Sequence, residues 1–517
     1  HVPAGGQVDV AALVSVLEAA LDANPERRQP AEGLLQQWEP MPSYPSSLHA
    51  VVMDLSVDTN ARWLAAVCLK NTVTRWWRRR QAGGVLDEEK ARLRAALLAS
   101  MSEPHVPIAK QSALTVAKIA RTDWPAQWPD LFPSLLNAIQ SGTEVQQKRA
   151  LLVLHTVVKE LSAKVVGPVR RHLQETTPAV FTFLLSLWSA AQASALESIT
   201  AAEMELIAVK IMRRLLVYGY ARIDLSQDIS TFLQHALTVL QTRVGLPLKG
   251  GEAASPDHYV CKSMLKVAQI VNDAHHAQPL AFTPFLGPFL QFALQQMQSY
   301  PQIVASSGGT PPPHTEKLVV RCLLFVTNVL ACPQYHSSHK PRNSNSSPDA
   351  HASPNPLPSP QVAAETIDAI LTPGAVRHFA TLLVSGYLTM QRADLSEWDS
   401  DPEGFVNAEI NEEGLRVRPS AENMFATLMQ QRKELVSQCT LQMLEQVTQE
   451  ARDTSNEAVL LREAVYNAVG LCSYDLQEVL PFCNWFATSL VPTLNDNTHP
   501  LHHIIRRRVA WLLGCFA

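Results

Sequence analysis

Apolar residues recur at i, i+3, i+4 and i+7 along almost the whole chain, whereas runs of alternating Val, Ile and Thr closed by Asn-Gly turns do not recur. The pattern predicts an all-α protein. Its first helices come in pairs: "VAALVSVLEAAL" with "PAEGLLQQWE", "SSLHAVVMDLS" with "DTNARWLAAVCLKNTVTRWW", "EEKARLRAALLASM" with "IAKQSALTVAKIAR", and "WPDLFPSLLNAI" with "EVQQKRALLVLHTVVKEL". Pro30 suits the first turn of the second helix, where its missing N–H has no partner to lose. Asp58 is placed to cap the helix that begins "TNAR" and to pair with Arg62 one turn later.

Four pairs in about 160 residues give a period of about 40, the period of HEAT-type arrays, whose helix pairs bury their apolar faces only against neighbouring pairs. About nine to eleven pairs are expected over the chain. The second helices share a local pattern, seen in "NARWLAAVCL", "KRALLVLHTV", "LREAVYNAVGL" and "RRRVAWLLG": a basic residue early, then small residues among large aliphatics. Small residues let adjacent helices approach closely.

Three segments interrupt this regularity. "DWPAQWPDLFP" places two Trp-Pro pairs between helices, which reads either as a proline-rich ligand or as an inter-repeat corner. The corner is the better reading: Trp124-Pro125 stops one helix, Trp128-Pro129 opens the next, and two indoles four residues apart can pack on both flanking repeats. Residues 333–360 contain seven Ser and seven Pro and are expected to be a disordered insertion, with Ser347, Ser353 and Ser359, each followed by Pro, as candidate phosphorylation sites. Residues 394–414 carry eight acidic residues and no basic one and are expected to form an acidic loop whose natural partners are basic.

The chain of 517 residues is too long for one growing core, and its net charge of −4 argues against a phosphate-gripping protein, so nucleic acid is not an expected partner. The eight cysteines form no C-x-x-C pair, and Cys68, Cys322 and Cys472 lie in apolar helical patterns, as buried thiols of a reducing compartment do. No apolar run is long enough to span a membrane, and no membrane partner is expected. His1 in place of Met and an ending inside an apolar helix suggest a piece of a longer chain. Phosphate-binding, nucleophile-elbow and zinc-protease motifs are missing, so neither an enzyme nor a cofactor is expected. "DSDPEG" places Asp399, Asp401, Glu403 and Gly404 like the start of an EF-hand loop, but the twelfth position is Ile410 in place of Glu. Cys332, His336 and His339 lack a fourth metal ligand, and His275-His276 and His502-His503 face different sides of their helices. "RWWRRR", residues 75–80, can be a basic patch but fits better as a helix end favoured by the dipole, with Trp76 or Trp77 half-buried at a repeat boundary.

"AEGLLQQWE" followed by "ARWLAAVCLKNTVTRWW", then "ARTDWPAQWPDLFPSLL", "WDSDPEGF", "LREAVYNAVGL" and "IIRRRVAWLLG" in that order resemble the importin-β (karyopherin-β) superfamily. The resemblance is densest over 30–135 and 395–514, and family chains are about twice this length, so this chain would correspond to an N-terminal half. It implies a right-handed superhelical solenoid of HEAT repeats: a Ran-GTP-binding region in 1–165, further repeats in 166–332 and, after the insertion at 333–360, in 361–517. It further implies a monomeric nuclear transport receptor that shuttles between cytoplasm and nucleus, carries folded protein cargo, meets Phe-Gly nucleoporins and answers to Ran-GTP. Carried onto this sequence, the Ran surface comprises Lys70, Asn71, Gln111, Lys118 and Arg149, with Asp399, Asp401 and Glu403 as the acidic middle element and Arg62 left structural. A HEAT scaffold, such as a phosphatase regulatory subunit, is the alternative with the same periodicity.

Overall fold

The computed structural model describes residues 8–78, 84–163, 167–248, 255–336, 355–411, 416–450, 453–496 and 499–517. Among them every regular element is helical. The chain divides into two compact units, His1–Ala221 and Arg222–Ala517, so the expected boundaries near 165 and 332 fall inside units.

The first unit contains α1 (Val10–Ala20), α2 (Pro25–Trp38), α3 (Tyr44–Met53), α4 (Thr59–Trp76), α5 (Asp87–Ala99), α6 (Val106–Asp123), α7 (Leu131–Ser141), α8 (Glu144–Ser162), α9 (Pro168–Gln192) and α10 (Ile199–Gly219). Short polar residues set many of the starts, because their side chains satisfy N–H groups that the first turn leaves unpaired. Asp58 accepts from Asn60 and Ala61 at the head of α4, and Thr143 and Gln146 cap α8 reciprocally. The start of α2 differs from expectation. Asn24 caps it and Pro25 opens it, which leaves Pro30 inside the helix.

Second helices stack on second helices, α4 on α6, α6 on α8 and α8 on α10. Alanines 61, 65 and 66 of α4 and 109, 113, 117 and 120 of α6 are buried in this stack. The early basic residues are its rungs. Arg62 is buried, but its partner is not Asp58: the guanidinium donates to the Val52 carbonyl at 2.9 and 2.8 Å and is ion-paired with buried Glu103 of the following repeat. Asp58 is spent on capping, and Glu103 is the acid that the fold delivers inside the core.

The Trp-Pro segment is a corner. Trp124 follows α6 directly, Trp128 precedes Leu131, where α7 begins, and both indoles are buried. Trp124 meets Phe132 edge-on at 5.1 Å. Pro129 lies outside α7, with Asp130 at the cap position.

The second unit contains α11 (Gln227–Val244), α12 (Pro256–Ala277), α13 (Pro279–Ser306), α14 (Pro313–Leu330), α15 (Pro360–Ile370), α16 (Pro373–Leu383), α17 (Arg392–Ser400), α18 (Pro402–Asn411), α19 (Val417–Gln431), α20 (Lys433–Gln449), α21 (Asn456–Leu471), the short α22 (Ser473–Leu476), α23 (Phe482–Trp485) and α24 (Val491–Asn495), and α25 (His502–Phe516). Here α12, α14, α19, α21 and α25 form the stack. Gly470 in α21 is required by a close approach: a Cβ there would lie 2.0 Å from Cζ3 of Trp511 in α25. Arg418, Glu463 and Arg508, spaced 45 residues apart, form a buried rung across α19, α21 and α25.

The segment 333–360 is structured where it is described. Tyr335 is buried and donates to the Pro279 carbonyl at 2.8 Å, Arg222 donates to the carbonyls of Asn355 and Pro356, and Ser359 caps α15. Ser347 and Ser353 lie outside the described residues. The acidic segment also departs from a loop. It folds as the α17–α18 pair, because Asp394 accepts from the Gln391 N–H at 2.7 Å and Asp401 from the Gly404 N–H at 2.9 Å, giving each short helix a cap.

Candidate functional site

In the first unit the expected binding residues lie on the second-helix stack. Lys70 and Asn71 are half-buried on α4, and Lys70 has no ion-pair partner among the described residues. Gln111 on α6 has its side-chain oxygen enclosed without a hydrogen bond among the described residues. Lys118 donates to Glu160 Oε1 at 3.0 Å, and Arg121 donates to the same oxygen at 2.7 Å. Burial alone would raise the Glu160 carboxyl, but these two hydrogen bonds and the charges behind them hold it below the usual range. Arg149 is placed differently from a free surface cation. Its guanidinium donates to the carbonyls of Glu103 and Pro104 at 2.7 and 2.8 Å, so it and Arg62 hold the entry of α6 from both sides.

Sequence reading missed several residues of this surface. Trp63 and Leu114 are large apolar side chains left exposed on α4 and α6. Asp123 is a buried acceptor for the Trp77 indole at 3.0 Å and for Arg94 at 2.5 Å. The spacing of about one repeat between Trp77 and Asp123 was the available signal. The rest of "RWWRRR" is committed locally where described: Arg75 pairs with Glu39 and Arg78 donates to Thr122, while Arg79 and Arg80 lie outside the described residues.

In the second unit the α17–α18 hairpin presents Asp399, Asp401 and Glu403 to solvent. It is anchored by its apolar side. Phe405 is buried with Met390 and Ile504, and Trp398 packs against this cluster. The Arg507 guanidinium lies over the Trp398 ring at 4.9 Å and over Phe405 at 5.6 Å. Glu397 takes a two-pronged pair from Arg416 at 2.9 and 3.0 Å. Asp401 therefore caps α18, Asp399 stands 4.0 Å from His503, and Glu403 sits in the first turn of α18. The acidic charge is held on a rigid mount.

The remaining titratable candidates are structural. His275 is buried among Phe282, Phe325 and Tyr335, and burial, with the neighbouring His276, lowers it to about 4. Burial pushes the Cys322 thiol up to about 12, so it stays a thiol. His336 meets the Leu330 carbonyl at 3.1 Å, Cys332 is buried, and His339 lies outside the described residues. No group of metal-ligating side chains occurs among the described residues, nor is any single described helix long and apolar enough to cross a membrane.

Comparison with known proteins shows what this arrangement is similar to. Residues 31–103 match the Importin-beta N-terminal domain and residues 105–242 match Exportin 1-like protein. The chain is 28% identical to Importin-11 of Mus musculus over 516 residues, covering 97% of this chain and 50% of that relative. It thus spans about half the length of the curated relatives it matches. Among solved structures, Lph2, a bidirectional nuclear transport receptor of S. cerevisiae, superposes with a TM-score of 0.79 at 21% identity over 97% of this chain and 49% of that one. Kap121p bound to RanGTP superposes with a TM-score of 0.58 at 15% identity over 98% and 40%. With two such family models matched in succession over residues 31–242 and a shared fold in both neighbours, the chain is similar in sequence and in fold to importin-β (karyopherin-β) proteins.

Proposed function

We propose that this chain is the part of a nuclear transport receptor that recognises Ran in its GTP form and thereby controls binding and release of folded protein cargo. The observation that carries the reading is similarity to Importin-11 across nearly the whole chain, combined with a second-helix stack that presents polar side chains over several repeats. In this reading Lys70, Asn71, Gln111 and Lys118 contact Ran from the first unit. Asp399, Asp401 and Glu403 offer an acidic surface from the second. Arg149 acts indirectly, by holding the Glu103–Pro104 turn.

A repeat array suits this task, because each repeat contributes a few contacts and curvature adjusts at little local cost. Two ligands that prefer different curvatures then oppose each other through linkage, typically by about 1–3 kcal/mol. Phe-Gly segments of nucleoporins would enter between first helices, where an open groove of about 700 Å³ is lined by Ile139, Phe183, Leu187 and Met204 together with polar Gln140 and Thr182. The receptor would work as a monomer that shuttles through the pore.

Calorimetry with the two nucleotide forms of Ran tests the proposal. Binding of the GTP form, and far weaker binding of the GDP form, is expected, because the γ-phosphate orders the switch segments being read. Charge reversal at Lys118 is expected to weaken the GTP-form complex while leaving helicity intact. Equal affinity for both forms, or none for either with a folded chain, leaves a general HEAT scaffold instead.

A further inference from the structure

We propose that the second-helix stack of the first unit carries a further docking site, formed by Arg121, Lys159 and Arg214 together with Lys118, the one residue it shares with the Ran reading, for an extended acidic segment of a protein partner, with carboxylates at every third residue. The site goes beyond the Ran reading, since Arg121, Lys159 and Arg214 play no part in it.

The argument starts from register. Arg149 of α8 meets the backbone at the entry of α6, and Lys118 near the end of α6 meets Glu160 near the end of α8, so the two helices run parallel. The stack continues with α10: Lys148 of α8 donates to Thr200 at 2.9 Å and stands 3.4 Å from Glu203. Eleven residues is about three helical turns, which returns to the same face. Advancing both helices from the Lys148–Glu203 pair by that interval puts Lys159 and Arg214 at equivalent register positions, where the Arg214 guanidinium lies 5.9 Å from the Tyr218 ring of its own helix. Where the first position sets a cation against a carboxylate, the second holds a cation on each helix. Lys159 is exposed and Arg214 half-exposed.

On the α6 side, Lys118 and Arg121 share the carboxylate of Glu160, and their side chains remain 38% and 40% exposed. Lys159 and Arg214 have no ion-pair partner among the described residues, so the row holds cations on ordered backbone beyond the pair that Glu160 serves. A helix dipole favours a cation in one helix's own last turn, but it does not favour cations at equivalent positions on adjacent helices, where repulsion opposes them. A bound anion removes that repulsion.

The geometry also selects the anion. Adjacent packed helices lie about 8–10 Å apart, so the row from α6 to α10 is about 20 Å long. A segment in the extended polyproline II conformation advances about 3.1 Å per residue with three residues per turn, so acids at every third residue share one face about 9 Å apart, one for each helix. Guanidinium groups at both ends suit two-pronged carboxylate contacts. A nucleic acid duplex presents a charge about every 1.7 Å, denser than the row can match, and Glu160 would repel it. Exposed Leu114, one turn before Lys118 on α6, offers an apolar contact beside the row.

The test is fluorescence anisotropy at low salt on the full chain. The probes are a labelled ten-residue peptide with Asp at every third position, an isomer with the same Asp residues in one run, and a ten-nucleotide single-stranded RNA. The spaced peptide is expected to bind best. The double variant Lys159→Glu with Arg214→Glu is expected to lose about tenfold or more in affinity, while Lys317→Glu in the second unit changes nothing. The neutral pair Lys159→Gln with Arg214→Gln is expected to lose binding with an unchanged or raised melting temperature, which separates site loss from unfolding. Unchanged peptide affinity in the double variants, equal binding of the two isomers, or tighter binding of the RNA overturns the proposal. Ran-GTP affinity measured on the same variants is expected to persist, so failure of one reading is distinguishable from failure of the other.

Discussion

Removing the carboxylate of Glu463 tests the claim that buried ionic rungs hold the second-helix stack together. Glu463 is fully buried in α21. Arg508 approaches it at 2.8 and 2.7 Å from α25, and Arg418 places one nitrogen 3.1 Å from each of its oxygens from α19. In Glu463→Ala both guanidiniums stay buried and lose their shared partner. Arg418 retains Glu422 at 3.4 Å, and Arg508 retains the face of Trp511 at 4.7 Å. Breaking a buried pair from one side costs about 3–5 kcal/mol, most of it the desolvated charge left behind. Replacing all three residues by Leu removes those charges, and is expected to cost less than the single change. Burial would raise the Glu463 carboxyl, yet the two arginines hold it low, so its contribution is present above the ordinary carboxylate range and is lost as pH falls through the depressed value. Because repeat arrays unfold in parts, the readout is native-state hydrogen exchange of α19, α21 and α25. A loss under about 1 kcal/mol in Glu463→Ala, or a triple-Leu variant less protected than the single one, refutes the reasoning.

Other outcomes follow from the same packing. Trp128→Ala is expected to cost about 3–5 kcal/mol, as buried aromatic truncations do; a melt unchanged within error, together with a lost protein partner, would restore the ligand reading of the Trp-Pro segment. His275, lowered from 6.5 to about 4, is a base held neutral. Its contribution is intact above pH 6.5 and falls away toward pH 4, by about 2 kcal/mol at pH 5; His275→Phe is expected to flatten that part of the pH–stability curve, and an unchanged slope contradicts it. Gly470→Ala forces Trp511 to move and is expected to cost about 1–3 kcal/mol, with Trp511→Ala in the same chain expected to cancel most of the clash in a double-mutant cycle.

Helical periodicity, the polar caps at Asp58 and Thr143 and the small residues of the second helices are local or short-range signals, so the paired helices and their stacking were legible in the sequence. Chemistry that depends on which residues meet across repeats was not. Arg62 reads as a partner of Asp58 four positions away, yet it is neutralised by Glu103, 41 residues on, because the stack brings the entry of α6 against α4. Arg149 reads as a surface cation and is consumed by two backbone carbonyls. The acidic run at 394–414 reads as a loop since no local apolar period supports a helix there, and only the tertiary cluster of Trp398, Phe405, Met390 and Ile504 supplies the burial that holds α17 and α18. Sequence by itself determined the repeating unit, because a helix pair's apolar face is written in its own residues. Tertiary structure decided the rungs and the surface they leave exposed, because a charge takes its partner from whatever the packing of neighbouring repeats places within a few ångströms.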